Sequence, residues 1–539
     1  MASCSIPRWL TGATPTLFLL IAAFSISQSQ AAVGLTTSQP FIWPLPAKFT
    51  SGNGTLSVDP ELSLSGNGAA SPILRAGFER YRGIVFGHRF LRTVKAVYDV
   101  TKLRINVRST SEELQLGVDE SYNLFIAEPN VHSVAGQVTI EANTVFGALR
   151  GLETFSQLCS FDYTTKKVQI YKTPWSIRDK PRFPYRGLML DTSRHYLPVD
   201  VIKQIIESMS YAKLNVLHWH IIDEQSFPLE IPSYPNLWKG SYTEWERYTV
   251  EDAYEIVNFS KMRGINVMAE VDVPGHGESW GIGYPDLWPS PSCREPLDVS
   301  KQFTFDVLSG ILTDMRKIFP FELFHLGGDE VHTDCWSNTS HVQKWLRNHN
   351  STAQDAYQYF VLKAQTIALL KNWSPVNWEE TFNAFPTKLH PRTVVHNWLG
   401  SGVCPKAVAK GFRCIFSNQG VWYLDHIDVP WDVVYNAEPL EGIHKASEQE
   451  LVLGGEVCMW GEKADTSDVQ QTIWPRAAAA AERLWSPRHS TSAGNSNQTA
   501  LPRLQYFRCL LNRRGVPAAP VTNFYARASP VGPGSCFEQ

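Results

Sequence analysis

The chain has 539 residues, too many for one ordinary compact core and enough for two domains. Its formal net charge of -3, with no block of basic residues, argues against a nucleic-acid surface and against an electrostatic membrane anchor. A hydrophobic share of 43% and an aromatic share of 12% exclude a disordered chain.

Residues 1–31 read as a cleaved secretory signal peptide. Arg8 supplies a positive start, Leu17 to Phe24 form a short apolar run, and Ser29-Gln30-Ala31 offers small residues before a cut. That run is far shorter than the ~20 residues a spanning helix needs, so the mature chain is expected to be soluble. Cys4 leaves with the signal, and Cys159, Cys293, Cys335, Cys404, Cys414, Cys458, Cys509 and Cys536 remain. The absence of a Cys-x-x-Cys pair argues against a zinc knuckle or a thioredoxin-like site. In an oxidising compartment some of these cysteines should pair, with connectivity open. Asn53, Asn258, Asn338, Asn350 and Asn497 stand in sequons and are candidate glycosylation sites. Asn372 is the poorest of the six sequons, because Pro375 follows its Ser374.

From about Pro40 to Thr173, alternating stretches such as Leu103 to Val107 and Tyr122 to Ile126 predict half-buried strands. Thr144 to Cys159 predicts a helix among them. Residues 32–180 are therefore expected to form an α+β domain, closed by the Pro-rich Asp179 to Pro184. Over 181–539 the pattern changes to apolar runs alternating with amphipathic helices. The runs are Tyr185 to Asp191, Asn215 to Asp223, Ile265 to Asp272, Phe321 to Glu330, Ser374 to Glu379, Thr393 to Trp398, Phe412 to Ser417 and Leu451 to Glu456. Eight such runs suit a closed parallel (β/α)8 barrel. Between them, Ile202, Ile205, Ile206 and Met209 share one face of a helix starting near Pro198, and Ala477 to Leu484 continues another after Pro475.

The predicted strands end in ionisable and aromatic groups: Asp191, His220 and Asp223, Asp272 and His276, Asp329 and Glu330, Trp378 and Glu379, Trp398, Trp460 and Glu462. Core packing does not explain this, since a buried unpaired carboxylate is costly. At this end of a barrel such groups face a shared cleft. Carboxylates beside tryptophans point to sugar chemistry, which needs an acid for the leaving oxygen and a nucleophile at the anomeric carbon. Indole faces suit the C–H face of a pyranose.

His325-Leu326-Gly327-Gly328-Asp329-Glu330 closely resembles the catalytic motif of glycoside hydrolase family 20, the β-N-acetylhexosaminidases. Supporting segments match in order: Tyr185-Arg186-Gly187 with Asp191 to His195, His218-Trp219-His220 with Asp223, Asp272 to His276, and Gly454-Gly455-Glu456 with Met459 to Glu462. The resemblance runs from about residue 40 to the C-terminus and is strongest to plant members, with animal lysosomal enzymes also similar. It implies an exo-acting, retaining enzyme of the secretory pathway, vacuolar first and extracellular second, with no cofactor and no metal. It implies terminal GlcNAc or GalNAc of glycoconjugates as substrate. By resemblance Glu330 is the acid/base, and Asp329 steers the substrate's 2-acetamido group, which replaces a protein nucleophile. Tyr423 bonds the acetamido oxygen while Trp378, Trp398 and Trp460 enclose the group. Arg186 holds sugar hydroxyls from the pocket floor, shared with Glu462, and Asp223 and His276 support the acid. Asp425, followed by His426, stands where relatives accepting charged sugars carry Asn-Arg, so neutral sugars are expected. The resemblance also implies disulfides Cys293–Cys335 and Cys509–Cys536, makes Cys404–Cys414 plausible, and leaves Cys159 and Cys458 free. Since animal relatives pair, a homodimer is a candidate assembly.

Three other readings compete. His218-Trp219-His220 evokes the His-x-His pair of zinc amidohydrolases, since alternate strand residues face one side, but further ligands are not identifiable. A non-catalytic sugar-binding protein on the same fold should lack the acid, yet Glu330 is present. An endo-acting chitinase would need a groove, whereas enclosing tryptophans favour a pocket.

Overall fold

A computed structural model describes residues 40–88, 97–127, 136–492, 494–522, 532 and 536. The signal-peptide reading and Ala31 lie outside them. Fourteen strands divide between a sheet and a barrel among the described residues.

The sheet holds β1 (Lys48–Ser65), β2 (Val100–Val107), β3 (Tyr122–Ile126), β4 (Gln137–Ala142), β5 (Cys159–Asp162) and β6 (Lys167–Asp179), ordered β1-β2-β4-β3-β6-β5. Its apolar side chains pack with α1 (Pro72–Val85) and α2 (Val145–Leu158) into one core. Each helix begins where sequence chemistry asks. Ser71 and Thr144 cap the two by accepting backbone N–H bonds from Leu74 and Gly147.

The barrel strands are β7 (Tyr185–Asp191), β8 (Val216–Ile222), β9 (Asn266–Val271), β10 (Leu323–His325), β11 (Ser374–Trp378), β12 (Val394–Asn397), β13 (Arg413–Phe416) and β14 (Val452–Met459). They pair in parallel and close β14 onto β7. Each falls within or against one of the eight predicted runs. Side chains alternate in and out along each strand, so the interior is layered from the strands' starts upward. Tyr185, Val216, Met268, Leu323, Val376, Val394 and Ile415 make an apolar plug. One pleat further on stand His218, Glu270, His325, Trp378, His396 and Glu456, all buried. A polar middle layer departs from the branched aliphatic filling usual in such barrels.

The sheet joins the barrel at the strands' starts through buried charge. Glu120 accepts from Arg150 Nε at 2.7 Å and from Arg186 Nη2 at 2.6 Å, while Lys213 Nζ reaches Asp179 at 3.1 Å. Disulfides join Cys293–Cys335, Cys404–Cys414 and Cys509–Cys536, whereas Cys159 and Cys458 are free. Asn53, Asn258, Asn338 and Asn350 are exposed and Asn497 is half-buried. No described helix is long and apolar enough to cross a membrane.

Candidate active site

β10 ends at His325, four residues before Asp329, and the chain leaves the strand through two glycines. Gly327 sits at φ +60° and Gly328 at φ +99°. A Cβ on Gly327 would fall 1.8 Å from Asp272 Oδ1, so no other residue fits there. Gly328 N–H donates to the same oxygen at 2.8 Å. Glu330 itself holds φ +49°, a region that residues with a Cβ rarely occupy and that concentrates at functional sites. This turn lets neighbouring carboxyls take different stations. The Asp329 side chain is about 10% exposed, against 56% for Glu330.

Around Asp329 the charges are arranged in sequence. Its Oδ1 is buried, and its side chain shares a hydrogen bond with the Asp272 carboxyl. Burial, then the charge of Asp329, pushes the pKa of Asp272 well above the usual carboxyl range. His276 places Nε2 at 3.6 Å from Asp329 and 3.8 Å from Glu330, and Nδ1 at 3.1 Å from Asp223 Oδ1. Burial disfavours the His276 cation, but the surrounding carboxyls of Asp272, Asp329 and Asp223 outweigh it and raise its pKa. Burial likewise opposes the Asp223 anion. Bonds from His220 and His276 and the Arg194 charge nevertheless hold its pKa far below the usual range.

Four aromatic rings stand beside these acids. Tyr423 and Trp398 lie nearly parallel, 10° apart with centroids 6.3 Å apart, and Trp460 lies 6.1 Å from Tyr423 and from Trp378. Trp378 is almost wholly buried, stacks on His396 at 4.3 Å, and donates its N–H to Glu270 at 3.0 Å. It therefore forms a base beneath the other rings. Trp398 donates its N–H to both oxygens of Glu380. Neither Glu270 nor Glu380 was singled out by sequence, although Glu380 directly follows the strand-end pair Trp378-Glu379.

Arg186 is not part of this group. As the second residue of β7 it lies at the opposite end of the barrel, fully buried, donating to Glu120, Lys213 O and Phe183 O. Its expected place on the pocket floor is corrected to a joint between sheet and barrel. Arg194, three residues past the end of β7, occupies the mouth instead. Its Nη1 lies 2.9 Å from Asp191 and 3.5 Å from Glu462, its Nη2 lies 2.8 Å from Asp223, and its guanidinium stacks over Trp460 at 5.1 Å. Glu462 is half-exposed at this rim. Asp425, two residues past Tyr423, is largely buried with Oδ1 unpartnered, 3.8 Å from His426 Nε2. Burial raises its pKa, and His426 partly counters this.

Among the described residues, three donor sets have atoms within 4.8 Å of one another: His218, His396 and Glu456; His218, Glu270 and His325; and Asp272, His276 and Asp329. In the His-x-His pair both rings face inward, as expected for alternate strand residues. His220 is hydrogen-bonded to Glu270 and Asp223, and His218 to Glu456 through Nδ1, with its Nε2 3.0 Å from Glu270. Histidine and carboxylate charges balance one another in these contacts.

Residues 183–488 match the family described as glycosyl hydrolase family 20, catalytic domain, and residues 42–158 match one described as beta-acetyl hexosaminidase like. The chain is 70% identical to beta-hexosaminidase 1 of Arabidopsis thaliana over 536 residues, covering 97% of this chain and 99% of that one. It is 53% identical to beta-hexosaminidase 3 of the same plant over 540 residues, covering 98% and 99%. Among solved structures, a chitobiase of Flavobacterium johnsoniae aligns with TM-score 0.76 and 30% identity, covering 88% of this chain and 73% of that one.

Proposed function

Because the chain belongs to glycosyl hydrolase family 20, we propose that its barrel mouth removes terminal β-linked N-acetylhexosamines with the substrate's acetamido group as nucleophile. The enzyme is a β-N-acetylhexosaminidase. The observation that carries the mechanism is the Asp329 carboxyl, its side chain only about 10% exposed and set beside the aromatic group, a desolvated acceptor of the kind an amide N–H satisfies.

In this reading the acetamido group enters between Trp398 and Tyr423, over Trp378 and beside Trp460. Asp329 accepts the amide N–H, and Tyr423 donates to the amide oxygen. This turns the oxygen toward the anomeric carbon. The oxygen attacks as the glycosidic C–O bond breaks, and Glu330 gives its proton to the leaving oxygen. The oxazolinium formed is positive, and the Asp329 anion stabilises it in a water-poor setting. Glu330 then takes a proton from water, which opens the ring at the anomeric carbon with retained configuration. Glu330 is half-exposed, as a group that meets the aglycone and later water must be. His276 and Asp223 hold it in register.

Arg194 and Glu462 are assigned to the sugar hydroxyls in place of Arg186, since both line the rim. Asp425 sits where a hydroxyl would meet its free oxygen, and its charge disfavours sulfated or carboxylated sugars, so terminal neutral GlcNAc and GalNAc are the proposed substrates. Vacuolar delivery and a homodimeric state complete the reading. Both rest on resemblance to the relatives, and fractionation and sedimentation test them. The mechanism itself is tested by a stable bicyclic thiazoline that copies the oxazolinium. Competitive inhibition far tighter than by GlcNAc is expected, and inhibition no tighter than by GlcNAc would overturn it.

A further inference from the structure

The polar middle layer of the barrel lies directly beneath the reacting groups and converges on one side chain, Glu270. This residue is fully buried on β9. Its Oε2 lies 2.6 Å from His220 Nδ1 and 3.0 Å from His218 Nε2. Its Oε1 accepts the Trp378 N–H at 3.0 Å and lies 2.8 Å from His325 Nδ1. Of these four neighbours, His220 and Trp378 are hydrogen-bonded to it, while the His218 and His325 nitrogens stand close by.

Two paths leave Glu270 for the mouth. Along the first, His220 donates Nδ1–H to Glu270 and Nε2–H to Asp223, the second contact being 2.8 Å. Donation at both ends requires the imidazolium. The two carboxylates that clamp it outweigh its burial and raise its pKa well above the ordinary range. Asp223 in turn bonds His276, which stands 3.8 Å from Glu330. Along the second path, Glu270 fixes the indole edge of Trp378, the base of the aromatic group beside Asp329.

We propose that Glu270 is a positioning residue that ties both halves of the reaction to one buried carboxylate, orienting the acid Glu330 through His220, Asp223 and His276 and the acetamido site through Trp378. It touches no substrate. A carboxylate placed only to balance histidine charge would not need bonds to both paths. The proposal rests on the catalytic reading above, which assigns Glu330 and Trp378 their roles.

The test compares Glu270→Gln with wild type on two β-GlcNAc glycosides, one with an activated nitrophenol leaving group and one with an alkyl alcohol. The alkyl substrate needs protonation by Glu330; nitrophenolate departs nearly unaided. Glu270→Gln keeps the shape but cannot accept from His220 and Trp378 as an anion. The expected result is a kcat loss about ten-fold or more greater on the alkyl glycoside than on the aryl one, with KM raised on both. Glu270→Asp should recover part of the loss. Equal fractional loss on both substrates with unchanged KM, as from fewer folded molecules, would overturn the proposal. Should Glu270→Gln not fold, His220→Gln cuts the first path while leaving Glu270 in contact with Trp378. It should show the leaving-group signature without the rise in KM, and its absence overturns the proposal equally. The catalytic reading is judged separately, by whether the wild type itself requires the acetamido group.

Discussion

Trp398 donates its indole N–H to both oxygens of Glu380, at 2.9 and 3.1 Å, which holds a further carboxyl within reach of the Asp329 charge. Burial, then the charge of Asp329, pushes the pKa of Glu380 up to about 8 from an ordinary value of 4.5. The folded chain therefore keeps a proton that the unfolded chain gives up above about 4.5. The fold's advantage from this group is complete below that pH and is lost as pH rises toward about 8. Thermal melts from pH 4.5 to 8 should show a falling midpoint in the wild type and a flatter profile in Glu380→Gln. Identical slopes would contradict the assignment.

Arg186 near the start of β7 and Arg194 just past its end should be told apart by KM. Arg186→Ala leaves Glu120 buried with one cation fewer, and losing one partner of a buried pair costs about 3–5 kcal/mol. The expected result is a strongly lowered melting temperature with KM unchanged in the molecules that remain folded. Arg194→Ala should raise KM for GlcNAc glycosides about ten-fold or more, through lost sugar contacts, besides destabilising the fold, since buried Asp191 and Asp223 lose a cation. A KM effect confined to Arg186→Ala would reverse the assignment.

Glu330→Gln should lower kcat by about 10²–10⁴-fold, the usual contribution of a general acid. Its melting temperature should stay near wild type, because the side chain is half-exposed. Asp329→Asn should cripple hydrolysis of acetamido sugars and also let Asp272 ionise at lower pH, since the charge of Asp329 helps hold that proton. Circular dichroism beside steady-state kinetics separates folding from turnover in both variants.

Asp425 should decide how charged sugars fare. A 6-sulfated β-GlcNAc glycoside is expected to be cleaved much more slowly than the neutral one, and Asp425→Asn should narrow the gap. Equal rates on both substrates in the wild type would remove Asp425 from specificity.

The barrel was legible because eight apolar runs alternated with amphipathic helices, and most of them led into ionisable or aromatic residues at or just past the strand end, as Asp191 closes Tyr185–Asp191 and Trp460 follows Val452–Met459. The predicted run Phe321 to Glu330 overshot the strand: β10 stops at His325, and Gly327 and Gly328 carry Asp329 and Glu330 out of it. The misplacement of Arg186 was avoidable on physical grounds. It opens β7, whereas the reacting groups gather where strands end, and Arg194 stood just beyond that end. Glu270 and His396 were harder to find. An inward polar residue within an apolar run reads as an exception to core packing, and only barrel closure, which brings β8, β9, β10, β11 and β12 into one layer, shows that such exceptions meet. The long β1 and β6 also escaped the pattern, since their alternation is interrupted by register shifts near Gly54.

The claim that an amide of the substrate, rather than a carboxylate of the chain, closes on the anomeric carbon meets its most direct test in one paired assay. The purified enzyme is given β-GlcNAc and β-glucose glycosides sharing one aryl leaving group, and the first-formed sugar is followed by NMR. The account predicts fast release of β-configured GlcNAc and next to no turnover of the glucoside. Comparable cleavage of the glucoside, or first release of the α anomer, would contradict it.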